Sequence, residues 1–463
     1  MLGIFRIRKK IQTLINMKRY FTLLLFLYAN YSVYAQVITP IDSAYISTVA
    51  DFSKNINTIT EKVWQGMKIG PYCIFRLNGP AFLLNHPAPP QNSRHFNDSI
   101  FILNASDYGL FGATQTEINN YLTAHNDYSF ISFASVNQFY AELFHELHHV
   151  YQRNYVKNLK FDNPADLLTY PEDYRNDAIK QYENEVWLNM LLGSNDNFTE
   201  NINKVFTCRN LRMQIIGAKY LDYEKAVESV EGPATYCEFE YMQQFASNIV
   251  EQQYINHRFY YSLTEPHYGR DGLRGKHLLT GMVQCLLLSK YFKNWQQEYY
   301  TSGLYLYDYF LSKFNPQITD LPDLGYYKAK TKYFTALERT KHIVNLDKFN
   351  NQNGIKITLM FNEIPDFRGF DPMHAEAIND SLIMHYTLLR LGKDNNHFNL
   401  TNDMALSTIT NQIWFVKQVS FFVQENDIKF SENRFMCNNG TLDIDWRIVS
   451  LMRNGNEYLI KLE

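Results

Sequence analysis

A chain of 463 residues with 46% apolar and 20% charged side chains is longer than one ordinary domain and can bury a large core, which excludes a disordered or low-complexity polypeptide. Past residue 35 no apolar run reaches the roughly 18 residues that a bilayer crossing needs, so no transmembrane body is expected. Lys and Arg number 44 against 47 Asp and Glu, and taking away the first 35 residues, with six basic and no acidic side chains, leaves 38 against 47. That acidic balance argues against nucleic acid and anionic membrane as partners.

In chain order, the N-terminal segment reads as an export signal. Lys18 and Arg19 precede the apolar stretch 21–28, and Val33 and Ala35 stand at the small-residue positions before a cut. The expectation is an exported protein, periplasmic or secreted, starting at Gln36, with Met17 as an alternative initiator because residues 1–16 form a long basic extension. A membrane anchor is the competing reading. The five cysteines, 73, 208, 237, 285 and 437, are scattered and odd in number, suggesting neither a disulfide framework nor a cysteine-built metal site.

Residues 42–67 have helical spacing without internal proline, and strands are expected in PYCIFRLNGPAFLLNH (71–86), SIFILN (99–104) and YSFISF (128–133). From 135 to about 345 the pattern is mostly helical, with helices at 171–193, at 221–250 on either side of Gly232-Pro233, and at 276–292. From about 350 the pattern alternates: IKITLMF, IWFVKQVSFFVQ, TLDIDW and EYLIKL read as strands, and Asn439-Gly440 and Asn454-Gly455 as hairpin turns, with one amphipathic segment at 373–391. The expected fold class is α+β: a signal at 1–35, a helix and small sheet at 36–134, a mainly helical domain at 135–345, and a β-rich domain at 350–463.

The richest stretch is FHELHHVYQ (144–152). On a helix His145 and His149 lie about 40° apart, so both imidazoles leave one face and can share one zinc ion, while Glu146, about 60° from His149, is placed to act on a zinc-bound water. Zinc brings the pKa of such a water toward neutrality, and a glutamate can take its proton and pass it to a leaving amine. Ser135 and Gln138 form a capping box, and Val136, Phe139, Tyr140, Leu143, Leu147 and Val150 form the apolar stripe of this helix. His148 faces elsewhere and is expected at the surface.

Two histidines need a third protein ligand, with the fourth position left to water. Two glutamates compete: Glu183 in YENEVWLNM and Glu231 in VEGPATYCEFEY. HELHH followed by EGPATYCE resembles the catalytic helices of HExxH zinc metallopeptidases of the gluzincin type, aminopeptidase-N-like and thermolysin-like. The resemblance covers residues 135–250 and implies a zincin-like domain with one zinc per chain, Glu231 as third ligand, and Gly232 and Ala234 as small residues that let this helix approach the HExxH helix. Pro233 stands where that family has an apolar residue, and the interval after His149 is several times longer than the family's, which keeps Glu183 as the alternative ligand. A gluzincin-like mechanism also requires a donor to the oxyanion, for which Tyr236 and His267 are the candidates chosen among Tyr236, Tyr261, His267, Tyr268, Arg270 and His277.

The leading expectation is an exported zinc metallopeptidase acting on a peptide or protein substrate, with Glu146 as general base. The alternatives are a non-catalytic binding protein retaining the scaffold, and a zinc hydrolase of a non-peptide substrate. Arg209 and Arg212 are read as a solvated helix face, and Glu238 as a surface or supporting carboxylate.

Overall fold

In the computed structural model, helix α1 (Pro40–Val63) begins where the chain can satisfy its first amides. Thr39 accepts from the Asp42 amide at 3.4 Å while the Asp42 carboxylate receives the Thr39 amide at 2.6 Å, with proline in the first turn. The same carboxylate accepts from Arg76 Nε at 3.0 Å and from the Tyr128 hydroxyl at 2.8 Å, which ties the cap to the sheet behind it. The described residues are 38–463 apart from 78, 130–132, 134, 194–196, 267–269, 271, 380, 411 and 432. The expected export signal lies outside them.

The fold is α+β. Six strands follow α1: β1 (Tyr72–Phe75), β2 (Pro80–Leu84), β3 (Arg94–His95), β4 (Ile100–Asn104), β5 (Thr114–Ile118) and β6 (Tyr121–Asp127). They pair in the order β3-β4-β2-β1-β6-β5, with β1 and β6 parallel and the rest antiparallel. Every side chain of β1 and β2 is buried. Of the strand expected at 128–133, Tyr128 and Ser129 form a turn after β6, and 130–132 lie outside the described residues. β5 and β6 close a two-residue hairpin on Asn119 and Asn120, whose φ angles of 46° and 67° suit the tight turn that asparagine tolerates.

The helices are α2 (Val136–Tyr155), α3 (Pro164–Leu168), α4 (Tyr174–Leu192), α5 (Phe198–Ile216), α6 (Ala218–Phe245), α7 (Ile249–Ile255), α8 (Leu273–Tyr291), α9 (Trp295–Ser302), α10 (Leu306–Phe314) and α11 (Gly325–Asn350). Where two helices were expected around Gly232-Pro233, α6 runs unbroken with Pro233 inside it. Proline has no amide hydrogen to donate to the carbonyl one turn earlier in the helix.

Residues from 355 onward form twelve strands: β7 (Ile355–Phe361), β8 (Asp366–Phe370), β9 (Ala375–Asn379), β10 (Leu382–His385), β11 (Leu388–Lys393), β12 (Asn396–Thr401), β13 (Ala405–Thr410), β14 (Gln412–Val423), β15 (Ile428–Ser431), β16 (Arg434–Asn438), β17 (Leu442–Asn454) and β18 (Glu457–Leu462). The path is β8-β11-β12-β17-β18-β7-β14-β13-β10-β9, with β16 joining β15 to β17. β18 therefore sits inside the sheet, parallel to β7 and antiparallel to β17. Gly440 and Gly455 take positive φ, at 91° and 57°, in the turns expected of the two Asn-Gly pairs. The amphipathic segment 373–391 resolves into β9, β10 and the start of β11, with a register shift between Leu382 and Ile383. Phe398, Phe421, Ile444, Trp446 and Ile460 are among the fully buried side chains of this core, which also takes in Leu168 of α3.

Two compact units divide the chain. One comprises residues up to 159 with 233–260 and 288–304, the other 160–232, 261–287 and 305–463. The first holds α1, the six-stranded sheet and α2; the second holds α4, α5, α11 and the twelve strands. The expected helical stretch 135–345 is thus shared by both, and α6 and α8 pass without interruption from one to the other.

Candidate metal centre

Helix α2 starts on Ser135, whose side chain accepts from the Gln138 amide at 3.2 Å. The Gln138 side-chain amide donates to Glu142 Oε1 at 3.2 Å. Phe139, Tyr140, Ala141, Leu143, Phe144, Leu147 and Val150 are buried, and only Val136 of the expected stripe is exposed. Asn126 of β6 donates to the Phe139 carbonyl at 3.1 Å, fixing the helix against the sheet.

This packing aims His145 and His149 at each other. Their Nε2 atoms are 3.0 Å apart, and both side chains are buried. Each ring is turned by a partner on its other nitrogen. His149 Nδ1 donates to Gln152 Oε1 at 2.8 Å, and His145 Nδ1 faces Glu238 Oε2 at 3.3 Å. In the tautomer that carries both protons on Nδ1, the two Nε2 lone pairs would point into one small space, an arrangement that a cation would relieve. A tetrahedral zinc bonded at about 2.0–2.1 Å to both nitrogens would set them about 3.3 Å apart, close to the separation observed.

Glu231 of α6 is the third residue of a group that could hold a metal ion. One donor atom from each of His145, His149 and Glu231 lies within 4.8 Å of the others, and no other such group of His, Cys, Asp and Glu occurs among the described residues. Glu231 and Glu238 are seven residues apart on one helix and so share a face. Burial would raise the Glu238 carboxyl, but Arg258 and His145 beside it hold it down at about 2, and the Tyr254 hydroxyl donates to it at 3.2 Å. Glu142, one turn before His145, has its carboxyl pushed up to about 7 by burial and by the charge of Glu238. Glu146 is only partly buried, and its carboxylate accepts from the amide of Gln115 on β5.

Glu183 is engaged elsewhere. It is buried on α4, with Oε1 bonded to Arg209 Nε at 2.7 Å and Oε2 to Arg212 Nη1 at 2.8 Å. Arg209 and Arg212, read from sequence as a solvated face, are buried and reach on to Glu228 and Glu224. Of the two expected oxyanion donors, Tyr236 is directed away from Glu231. Tyr236 lies five residues after Glu231, about 140° around the helix, where its hydroxyl accepts from Ser289 Oγ at 3.0 Å and its ring packs by Trp64 and Trp295. His267 lies outside the described residues.

His148 departs furthest from expectation: it is fully buried, not at the surface. Its ring packs edge-on against Trp64 with centroids 4.4 Å apart, Nε2 meets the Tyr300 hydroxyl at 2.8 Å, and Nδ1 lies 3.3 Å from Cys237 Sγ. Burial, then the neighbouring His149 and His145, keep it neutral well below the usual histidine range. The Gln152 amide also donates to Tyr300, at 3.1 Å, so a hydrogen-bond chain runs from His149 through Gln152 and Tyr300 to His148. Gly232 of α6 stands against α8. A Cβ on Gly232 would fall 2.6 Å from Gly281 Cα, so this glycine lets α8 approach.

The sequence does not single out Gln115, Arg274 or Tyr300. Gln152 shares the helix face of His145 and His149, three residues after His149, and Glu238, expected as a surface or supporting carboxylate, lies seven after Glu231. No protein-family profile, curated protein or solved structure matches the chain.

Proposed function

We propose that the protein is an exported zinc metallopeptidase, with His145, His149 and Glu231 holding one zinc ion and Glu146 acting as general base. The observation that carries this reading is the pair of Nε2 atoms 3.0 Å apart, each ring oriented from behind, with Glu231 in the same donor group. Zinc held by these residues would supply an electrophile that polarises a carbonyl and acidifies water.

Glu146 neighbours His145 in sequence and keeps its carboxylate partly open, steadied by the Gln115 amide. An ionised carboxylate there takes a proton from water and returns it to the leaving amine. Gln115 stands on β5, the end strand of its sheet. A strand end offers backbone donors and acceptors on which an extended peptide can pair, and the peptide's passage past Gln115 would bring its carbonyls beside Glu146. This favours a peptide over other hydrolysable substrates.

Zinc content of the purified chain should be near one per molecule. Glu146→Gln should retain that zinc and slow hydrolysis of a peptide library by about 10²–10⁴-fold. Unchanged hydrolysis in the variant overturns the mechanism. Absence of zinc favours the binding-protein reading, and zinc with ester but no peptide turnover favours the non-peptide hydrolase.

A further inference from the structure

Each of the two histidine ligands is turned by a partner behind it, and the third ligand has one as well. Glu231 Oε1 accepts from Arg274 Nη2 at 2.6 Å. The other arm of the same guanidinium, Nη1, donates to Asp162 Oδ2. Arg274 lies in the first turn of α8, Asp162 precedes α3, and all three side chains are largely shielded, at 20%, 10% and 13% exposed for Arg274, Asp162 and Glu231. Charges so placed are screened far less than surface pairs.

A guanidinium offers two parallel arms in a fixed plane, which a lysine ammonium cannot do. Facing Glu231 alone, Arg274 would neutralise it and weaken it as an anionic donor. Asp162 takes up the other arm, so the three groups together keep one negative charge. The fork meets Glu231 through Oε1.

We propose that Arg274, anchored by Asp162, is a positioning residue for the third metal ligand: it fixes the rotamer of Glu231 and presents its carboxylate to the ion. The proposal rests on the metal reading above. It gives every ligand an outer partner, Glu238 for His145, Gln152 for His149 and Arg274 for Glu231, and such partners typically contribute 10- to 100-fold in metal affinity.

The test is the zinc dissociation constant of the full chain, measured by competition with a chromophoric chelator, alongside the melting temperature of the zinc-free protein. Arg274→Gln should bind zinc about 10–100-fold more weakly. Arg274→Lys, which keeps the charge and loses the fork, should fall between it and the parent, as should Asp162→Asn. The double variant should be no weaker than Arg274→Gln, because Asp162 acts through the arginine. Parent-like zinc affinity in a folded Arg274→Gln, or full additivity with Asp162→Asn, overturns the proposal. Should Arg274→Gln fail to fold, Arg274→Lys and Asp162→Asn decide, and parent-like affinity in both overturns it. Failure of the metal reading itself looks different: the parent chain, or the parent and His149→Ala alike, would show no specific zinc binding.

Discussion

Glu183 and Glu231 are two glutamates on neighbouring stretches of the helical region, and what separates them is how many cations reach each. Glu183 has a guanidinium on both oxygens, within a buried group that also contains Glu224, Glu228 and His277. Removing it takes from Arg209 and Arg212 the carboxylate they share, leaving each with one buried carboxylate partner, Glu228 and Glu224, in a region closed to water. Glu183→Ala should therefore destabilise the fold by about 3–5 kcal/mol, read as a lower urea midpoint. Glu231→Ala should leave that midpoint within about 1 kcal/mol of the parent, since Arg274 keeps Asp162, while abolishing stoichiometric zinc. Equal loss of stability in both variants would show that Glu231 is as structural as Glu183. The buried group also sets an acid limit. Arg209 and His277 hold Glu228, and Arg212 and His277 hold Glu224, far below the usual carboxylate range against the cost of burial. Depressed carboxyls contribute stability that is complete above about 4.5 and lost as pH falls through their folded values.

At the scale of elements, the crossing of α6 and α8 has no room to spare. A methyl group on Gly232 would meet backbone atoms of Gly281, and one on Gly281 would meet the Glu228 backbone. Backbone cannot rotate away as a side chain can. Gly232→Ala should thus cost about 1–3 kcal/mol despite alanine's better helix propensity, and since α8 carries Arg274, it should weaken zinc binding too. Parent-like melting and zinc affinity would count against it. The same helices show what a sequence can and cannot reveal. The histidine spacing in HELHH and the acidic heptad spacing in EGPATYCE are local periodicities, so a single helix displays them. Burial of His148 depends on Trp64, Cys237 and Tyr300, which come from three distant segments. β5 reads as TQTEI, polar because it is an edge strand, and was passed over; the Asn119-Asn120 pair was the available sign of its hairpin. The segment at 373–391 mimics helical amphipathicity because short strands interrupted by a register shift lose their two-residue alternation. Gly232 was read toward α2, since sequence shows that a residue is small and not which neighbour comes close.

At the scale of the whole molecule, His342 is one of the side chains that fasten α11 within its own unit, with Tyr327, Thr331 and Arg339. His342 Nε2 bonds Glu172 at 2.9 Å, and Nδ1 bonds Glu376 of β9, which Asn345 and Tyr386 also reach. Hydrogen bonds to Glu172 and Glu376 raise His342 to about 9. Burial opposes ionisation of Glu376, but His342, Tyr386 and Asn345 bring it to about 2. The histidine's contribution is complete below about 6.5 and lost as pH rises through about 9; that of Glu376 is present above about 4.5 and lost toward pH 2. Melting temperature should accordingly fall between pH 6.5 and 9.5 in the parent, by about 2–4 °C for each kcal/mol lost, and His342→Gln should be lower at pH 6.5 and flatter across that range. A parallel decline in both proteins would remove His342 as the cause.

β18 lies between β7 and β17, in parallel register with a strand about a hundred residues upstream. The sheet therefore cannot assemble by adding hairpins in order. Until residues 457–462 arrive, β7 and β17 each present an unpaired edge, and only a long-range contact closes the gap. Pairing of that kind slows folding and prolongs exposure of edges that recruit other chains. Refolding from denaturant should be slow and its yield should fall with rising protein concentration, so dilution, more than added zinc, should govern how much of the twelve-stranded sheet is recovered.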